Sequence, residues 1–492
     1  MNRMKLLAAE NAATAVSISS SIMLACSIYI VLKNRKSKNN TKFKNEYEQA
    51  PHWNWTHPYK STLDKILSSI FPIILPLSDV TQSPLYISEE QNNTPELTKK
   101  LTSLRNSLKT MNASSYTARC KEWNSLLSED NPILSGTVTI PTNNKILSEF
   151  GFTSLNGSPI DHMLQNAFNN KDEDDNLIQI DITCPQSAIV SGISYESKDS
   201  ITSTSLENII FDQSAHLLLW FHGGGLILGD GRDADCSIDN ALRLTRLQNG
   251  TKSEKNACTN IVVLSVNYRL APEYPFPAAI IDGLSAYNLL HTHFFSHSKH
   301  IGGISAGGNL SSVIGLESCR RYGIHNLKSI MIDSPMTQPN CQTLSYHLNS
   351  TSSGACPVDF LRWSWCAYLG LKAEKNQFDE ADCVANAIQQ SVWRDIQKND
   401  LWRLICPQVD VPHISSSPKN SSFLKIIVCT SKADPLHDDG VQLFQALERQ
   451  NLNNRHCSIQ QYDFNGSHCL ASISDATGKD KFLKEWSSMF GR

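Results

Sequence analysis

Continuous apolar runs bounded by polar residues recur along the second half of the chain. His216–Phe221 (HLLLWF) and Ile261–Val266 (IVVLSV) are two of them, and Ile330–Ile332 and Leu424–Cys429 follow the same pattern. A strand that is apolar on both faces is buried on both faces, as in a parallel sheet covered by helices. Between these runs lie segments of helical spacing at Pro277–His293, Leu310–Tyr322, Gly440–Gln450 and Lys479–Met489. The alternation predicts an α/β fold with a mostly parallel sheet. Leu177–Cys184 alternates apolar and polar positions instead, as an antiparallel edge pair does, and Ser458–Phe464 reads as one more strand.

The first third reads differently. Leu63, Ile66, Leu67, Ile70 and Phe71 follow helical spacing up to Pro72, and Pro95–Asn112 is a second helix candidate. This divides the chain into a helical cap region over residues 46–170 and an α/β body over 171–492. Thr153–Pro159 and the charged Lys171–Asn176 read as loops. Met336–Lys419 is too long for a simple crossover, so a cap insertion is expected at about 336–420. Within it Phe360, Trp363, Trp365 and Tyr368 recur at helical spacing, either as a core-facing stripe or as the lining of an apolar substrate pocket.

Asn11–Leu32 carries no charged residue, and at ~1.5 Å per residue it is long enough to cross a bilayer. Lys33, Arg35, Lys36 and Lys38 follow directly, with no small-residue cleavage site between, which favours an anchor over a signal peptide. Residues 1–45 are therefore read as a single-pass membrane anchor with a basic flank. The flank continues with Lys42 and Lys44, against Arg3 and Lys5 before the span, which by the positive-inside rule leaves the body in the cytosol. Sequons follow at Asn54, Asn112 and Asn156, whereas Asn309 reads as helix packing.

The 492 residues are 40% hydrophobic and 18% charged, which suits a globular fold with a large core. With a net charge of −3 and no basic stripe outside the N-terminal flank, nucleic acid is excluded as an expected partner. The fourteen cysteines form no C-x-x-C pair and no zinc-ligand spacing, so no metal site is expected and most read as small buried hydrophobes. One or two disulfides stay open if the body faces an oxidising lumen.

Four short motifs carry candidate chemistry. Gly303-Ile304-Ser305-Ala306-Gly307 is a G-x-S-x-G between an apolar strand and a helix, which would expose the Ser305 hydroxyl above the sheet. Alone, the pattern also fits an ordinary Gly-rich turn. His222-Gly223-Gly224-Gly225 directly follows the His216–Phe221 strand, where free backbone N–H groups can face an oxyanion. Asp434 sits in a turn after the Leu424–Cys429 strand, with Asp438 and Asp439 as rivals or helix-start acids. His468 follows the last strand, and His437 is its rival close to the acid. Ser305, Asp434 and His468 stand in the order of one class of serine hydrolase, in which histidine takes the serine proton and the acid fixes its tautomer.

HGGG at 222–225, NYRLAPEYPFPAA at 267–279, GISAGGNL at 303–310, ADPLHDDG at 433–440 and GSH at 466–468 resemble the hormone-sensitive-lipase-like branch of the α/β-hydrolases. With the anchor, the chain is similar to membrane-bound arylacetamide deacetylases and fungal steryl acetyl hydrolases. The resemblance implies an eight-stranded sheet with a helical cap. It also implies hydrolysis of short-acyl esters of hydrophobic alcohols without cofactor, and an endoplasmic reticulum membrane location, often with a lumenal site. The charge flanks favour the cytosol, so the side stays open. Carried over, Ser305 is the nucleophile, Asp434 the acid and His468 the base, with oxyanion donors at the N–H groups of Gly223, Gly224 and Ala306. Ile304 stands where Asp commonly precedes the serine, Leu226 where an aromatic residue is common, and Cys469 where Gly is usual. Leu226, Trp363 and Trp365 are the candidate substrate-contact residues. Cys429 matches a position that is disulfide-linked in some relatives. A catalytically weak binding protein for hydrophobic ligands and an amidase on the same triad are the other readings.

Overall fold

The computed structural model describes the helix 95–124, residues 131–152, 177–193, 205–232, 260–349, 356–371, 382–397, 400–415 and 423–468, and short pieces between and beyond them. The expected anchor at 11–32, the helix ending at Pro72 and the loops at 153–159 and 171–176 lie outside these residues. Among the described residues, no helix is long and apolar enough to cross a membrane.

Helix α1 spans Pro95–Asn124 and buries Leu97, Leu101 and Leu104. The sheet then uses β1 (Ile133–Pro141), β2 (Leu177–Pro185), β3 (Tyr195–Ser197), β4 (Ser200–Ile201), β5 (His216–Phe221) and β6 (Ile261–Asn267). Helix α2 (Ala278–His293) leads to β7 (Ser298–Ile304), α3 (Ala306–Tyr322) and β8 (Leu327–Asp333). Helix α4 (Leu344–Leu348) and helix α5 (Val358–Leu369) lie between β8 and the next strand, and β9 (Leu424–Ser431), α6 (His437–Gln450) and β10 (Cys457–Phe464) close the fold.

Among the described residues, the main sheet has ten strands in the order β10-β9-β8-β7-β5-β6-β2-β1-β4-β3. Strands β10 to β6 run parallel, and β2 pairs antiparallel with both β6 and β1. The resemblance implied eight strands; the described sheet has two more, because β3 and β4, three and two residues long, extend the edge beyond β1. Strand β1 also moves the start of the body upstream of residue 171: part of the region read as helical cap is a sheet strand. Strand β2 is interior rather than an edge, which is why its pattern, exposed at Leu177 and Gln179, becomes continuously buried from Ile180 onward.

Side chains on neighbouring positions of a strand point to opposite faces. In β5, Leu217, Leu219 and Phe221 therefore join the main core with α2 and α3, while Leu218 and Trp220 join a second cluster with Met331, Phe482 and Trp486. Covering both faces explains the continuous apolar runs. It also sets the parallel strands side by side with their C-terminal ends on one edge, where the motif loops emerge.

Candidate active site

Strand β7 turns into α3 through Ser305, whose φ of 60° and ψ of −120° lie outside the regions favoured by a side-chain-bearing residue. Three backbone hydrogen bonds hold it: Ser305 N–H donates to Asp333 O at 2.8 Å, and its carbonyl accepts from Asn309 N–H and Met336 N–H, each at 3.1 Å. The flanking glycines are sterically required. A Cβ on Gly303 would lie 2.1 Å from Gly307 O, and one on Gly307 would lie 2.1 Å from Phe221 O. Ala306 is the first helical residue, so its N–H has no intrahelical acceptor. Asn309 packs as read, its buried amide donating to Ile405 O at 2.8 Å.

The acid and the histidine meet beside this elbow edge. Asp434, fully buried after β9, accepts Leu436 N–H on Oδ1 at 2.9 Å and faces His468 Nδ1 with Oδ2 at 2.7 Å. With Nδ1 donating to the carboxylate, the neutral imidazole keeps its acceptor lone pair on Nε2. The two loops are tied together: Ala433 N–H donates to Gly466 O at 2.9 Å, and Asn349 Nδ2 donates to Asp434 O at 2.9 Å.

The rivals take other partners. His437 lies 3.1 Å from Asp438 Oδ1 and 3.2 Å from Asp463 Oδ1. Burial alone lowers its pKa, but the two carboxylates outweigh this and raise it to about 9, which makes it a cation rather than a base at neutral pH. Asp438 and Asp439 occupy the first turn of α6. Asp439 accepts the N–H groups of Thr337 and Gln338, both at 2.8 Å, and burial pushes its carboxyl well above the usual range.

The glycine loop lies against the serine: a Cβ on Gly223 would sit 3.3 Å from Ser305 Cβ. Gly224 has φ +112°, and a Cβ there would be 2.2 Å from Leu228 O. Its carbonyl accepts Leu228 N–H at 2.9 Å and Ile227 N–H at 3.1 Å, closing a tight turn. His222 is buried, stacks on Tyr268 with centroids 4.2 Å apart, and has its pKa lowered by burial, which keeps it neutral. Next to Tyr268, Arg269 forms an ion pair with the fully buried Asp282 at 2.8 Å.

Leu226, expected at the pocket, is buried at φ 65° with its carbonyl accepting Ala271 N–H at 2.9 Å. Trp363 and Trp365 are fully buried on α5, in keeping with a core-facing stripe. The α5 atoms nearest to a Cβ on Gly225 belong to Ser364, at 2.6 Å, and Phe360, at 2.9 Å. Tyr268, whose hydroxyl donates to His222 O at 2.8 Å, and Arg105, whose Nε donates to Ile227 O at 2.9 Å, support the glycine loop and were not among the expected site residues. The segment NYRLAPEYPFPAA was visible as a motif, but its partners lie at spacings with no period. Among the described residues, no cluster of three or more His, Cys, Asp or Glu is arranged to hold a metal ion.

The chain order of elbow serine, acid and histidine, each at the C-terminal end of a parallel strand, is that of the α/β-hydrolases. Residues 218–398 match the family Abhydrolase_3, of alpha/beta hydrolase fold; Asp434 and His468 lie beyond this span. The carboxylic ester hydrolase LipN of Mycobacterium tuberculosis is 41% identical over 106 residues, 20% of this chain and 24% of that protein. Human hormone-sensitive lipase is 26% identical over 213 residues, 39% of this chain and 18% of that protein. A hyperthermophilic esterase from the archaeon Pyrobaculum calidifontis has a TM-score of 0.47 at 17% identity, over 88% of this chain and 98% of that one. The chain thus spans about a quarter or less of the two curated relatives' lengths. Residues 218–398 thus match an α/β-hydrolase family, and over part of its length the chain is similar to hormone-sensitive lipase.

Proposed function

We propose that this protein is a serine carboxylesterase that hydrolyses short-acyl esters of hydrophobic alcohols, steryl acetates among them. The observation that carries the reading is the buried 2.7 Å bond from His468 to Asp434 on the sheet edge that also holds the Ser305 elbow and the glycine loop. In this reading His468 Nε2 takes the Ser305 hydroxyl proton as Oγ attacks the ester carbonyl. The N–H groups of Gly223, Gly224 and Ala306 receive the oxyanion. Collapse breaks the bond to the alcohol, which leaves with the proton from His468. Water, deprotonated by His468, then attacks the acyl-Ser305 carbonyl and releases the acid. The relatives named as ester hydrolases support ester chemistry. The apolar cap helix α5 against Gly225 supports a hydrophobic alcohol. The uncharged Asn11–Leu32 and its basic flank support a single-pass anchor, which we assign to the endoplasmic reticulum membrane.

The test is acetate release from a steryl acetate, and cleavage of a short aryl ester, by membranes carrying the wild-type chain or Ser305→Ala. Both activities are expected in wild type and absent in the variant. Aryl ester cleavage without steryl acetate turnover would retain the esterase and remove the sterol. Silence on every ester would favour the ligand-binding alternative.

A further inference from the structure

Helix α1 reaches the backbone beside the glycine loop through Arg105. Arg105 Nη1 and Nη2 form a two-point ion pair with Glu273, at 2.7 and 3.0 Å. The same guanidinium donates through Nε to Ile227 O at 2.9 Å and through Nη2 to Ala271 O at 2.8 Å. These two carbonyls belong to adjacent strips of backbone, since Ala271 N–H itself donates to Leu226 O. One planar cation therefore joins the glycine turn to the 267–279 segment, with geometry that a lysine cannot reproduce.

The connection to chemistry is short. Ile227 and Leu228 donate to Gly224 O, which closes the turn carrying Gly223 and Gly224. Fixing Ile227 O from outside fixes the plane of the peptide that ends in Leu228 N–H, and hence the Gly224 carbonyl. We propose that Arg105 is a positioning residue for the oxyanion donors, so that the N-terminal helix is a working part of the active site and not only a cover over the body. This rests on the esterase reading. Oxyanion donors act only when aimed at the place where charge develops, and a misplacement of ~1 Å can reduce a rate by about a hundredfold.

The experiment compares wild type, Arg105→Ala, Arg105→Lys and Glu273→Gln in the full-length chain, with Ser305→Ala as the blank. Steady-state kinetics on a short aryl ester are read beside the rate of Ser305 phosphonylation by an alkyl fluorophosphonate. Both reactions pass through an oxyanion, but the second needs no ester turnover. Arg105→Ala is expected to lower kcat and the phosphonylation rate by about tenfold to a hundredfold, with KM within about twofold. Added guanidinium at millimolar concentration is expected to restore part of both rates in Arg105→Ala and to leave wild type unchanged. Arg105→Lys is expected to recover little, and Glu273→Gln to show a smaller loss.

A KM rise at constant kcat, or equal rates in wild type and Arg105→Ala, would overturn the inference. So would a rate loss that follows lowered thermal stability and is not rescued by guanidinium. A wild-type chain that is phosphonylated on Ser305 but hydrolyses no ester would count against the esterase reading, while the phosphonylation rates would still judge Arg105.

Discussion

Tyr268 both stacks on the His222 ring, at 4.2 Å and 12°, and donates its hydroxyl hydrogen to the His222 carbonyl at 2.8 Å. That carbonyl and the Gly223 N–H belong to one peptide group, so a bond to the oxygen orients the proposed oxyanion donor on the other side of the plane. Tyr268→Phe keeps the stack and removes the bond. We expect kcat on a short aryl ester to fall by roughly threefold to tenfold, with KM little changed. The accompanying stability loss should be about 1 kcal/mol, measurable by urea denaturation.

Asp434 holds His468 through a 2.7 Å contact, both groups being buried. In Asp434→Asn the amide can present N–H to Nδ1 and so select the wrong tautomer, with the proton on Nε2, where the serine proton must be accepted. We expect kcat to fall by on the order of 10³-fold or more, with the fold intact by circular dichroism. Retention of more than about a tenth of the wild-type rate would count against Asp434 as the acid and redirect attention to Asp438.

The site was legible where it is written as a string at a strand end. HGGG after HLLLWF and G-x-S-x-G after β7 are local, and the glycines at 303 and 307 are there because backbone oxygens occupy the space of a Cβ. The acid and histidine were legible by chain order rather than by any feature of their own. Strand β1 was not: ILSGTVTIP dilutes its apolar positions with Ser135, Gly136 and Thr137, and Thr137 Oγ1 in fact donates to the nearly buried Asp181 at 2.7 Å. That bond makes a polar position suitable for an interior strand, which no periodicity reveals. Arg105 was illegible for a related reason, since Glu273 lies 168 positions away and the pair exists only once the fold has formed.

Gly307→Ala tests the elbow independently of catalysis. The new Cβ would lie 2.1 Å from Phe221 O and 2.4 Å from His222 O, both backbone atoms held by β5 and the glycine loop. Neither neighbour can rotate away, so the elbow and the loop must separate. We expect a stability loss of about 3 kcal/mol or more, read as a lowered denaturation midpoint or as loss of soluble chain. Trp220→Ala is the comparison: it empties space on the opposite sheet face and should cost about 3–5 kcal/mol while leaving Ser305 reactive toward a fluorophosphonate in the folded fraction.

His437 gives the fold a dependence on pH that does not pass through the catalytic histidine. Its pKa is raised to about 9 by Asp438 and Asp463 against the opposing effect of burial, while both carboxyls are held below their usual range. A cation whose folded pKa exceeds its unfolded value, ~6.5 for histidine, binds its proton more tightly in the native state. The stabilisation is therefore complete below about pH 6.5 and is lost as pH rises through about 9. Partial exposure of the pair reduces the effect, and a change on the order of 1–2 kcal/mol is expected across that window. Thermal denaturation of wild type and His437→Gln between pH 6 and 10 checks it. The wild-type advantage should shrink as pH rises, and two curves that stay parallel across the range would mean that His437 is neutral in the folded protein.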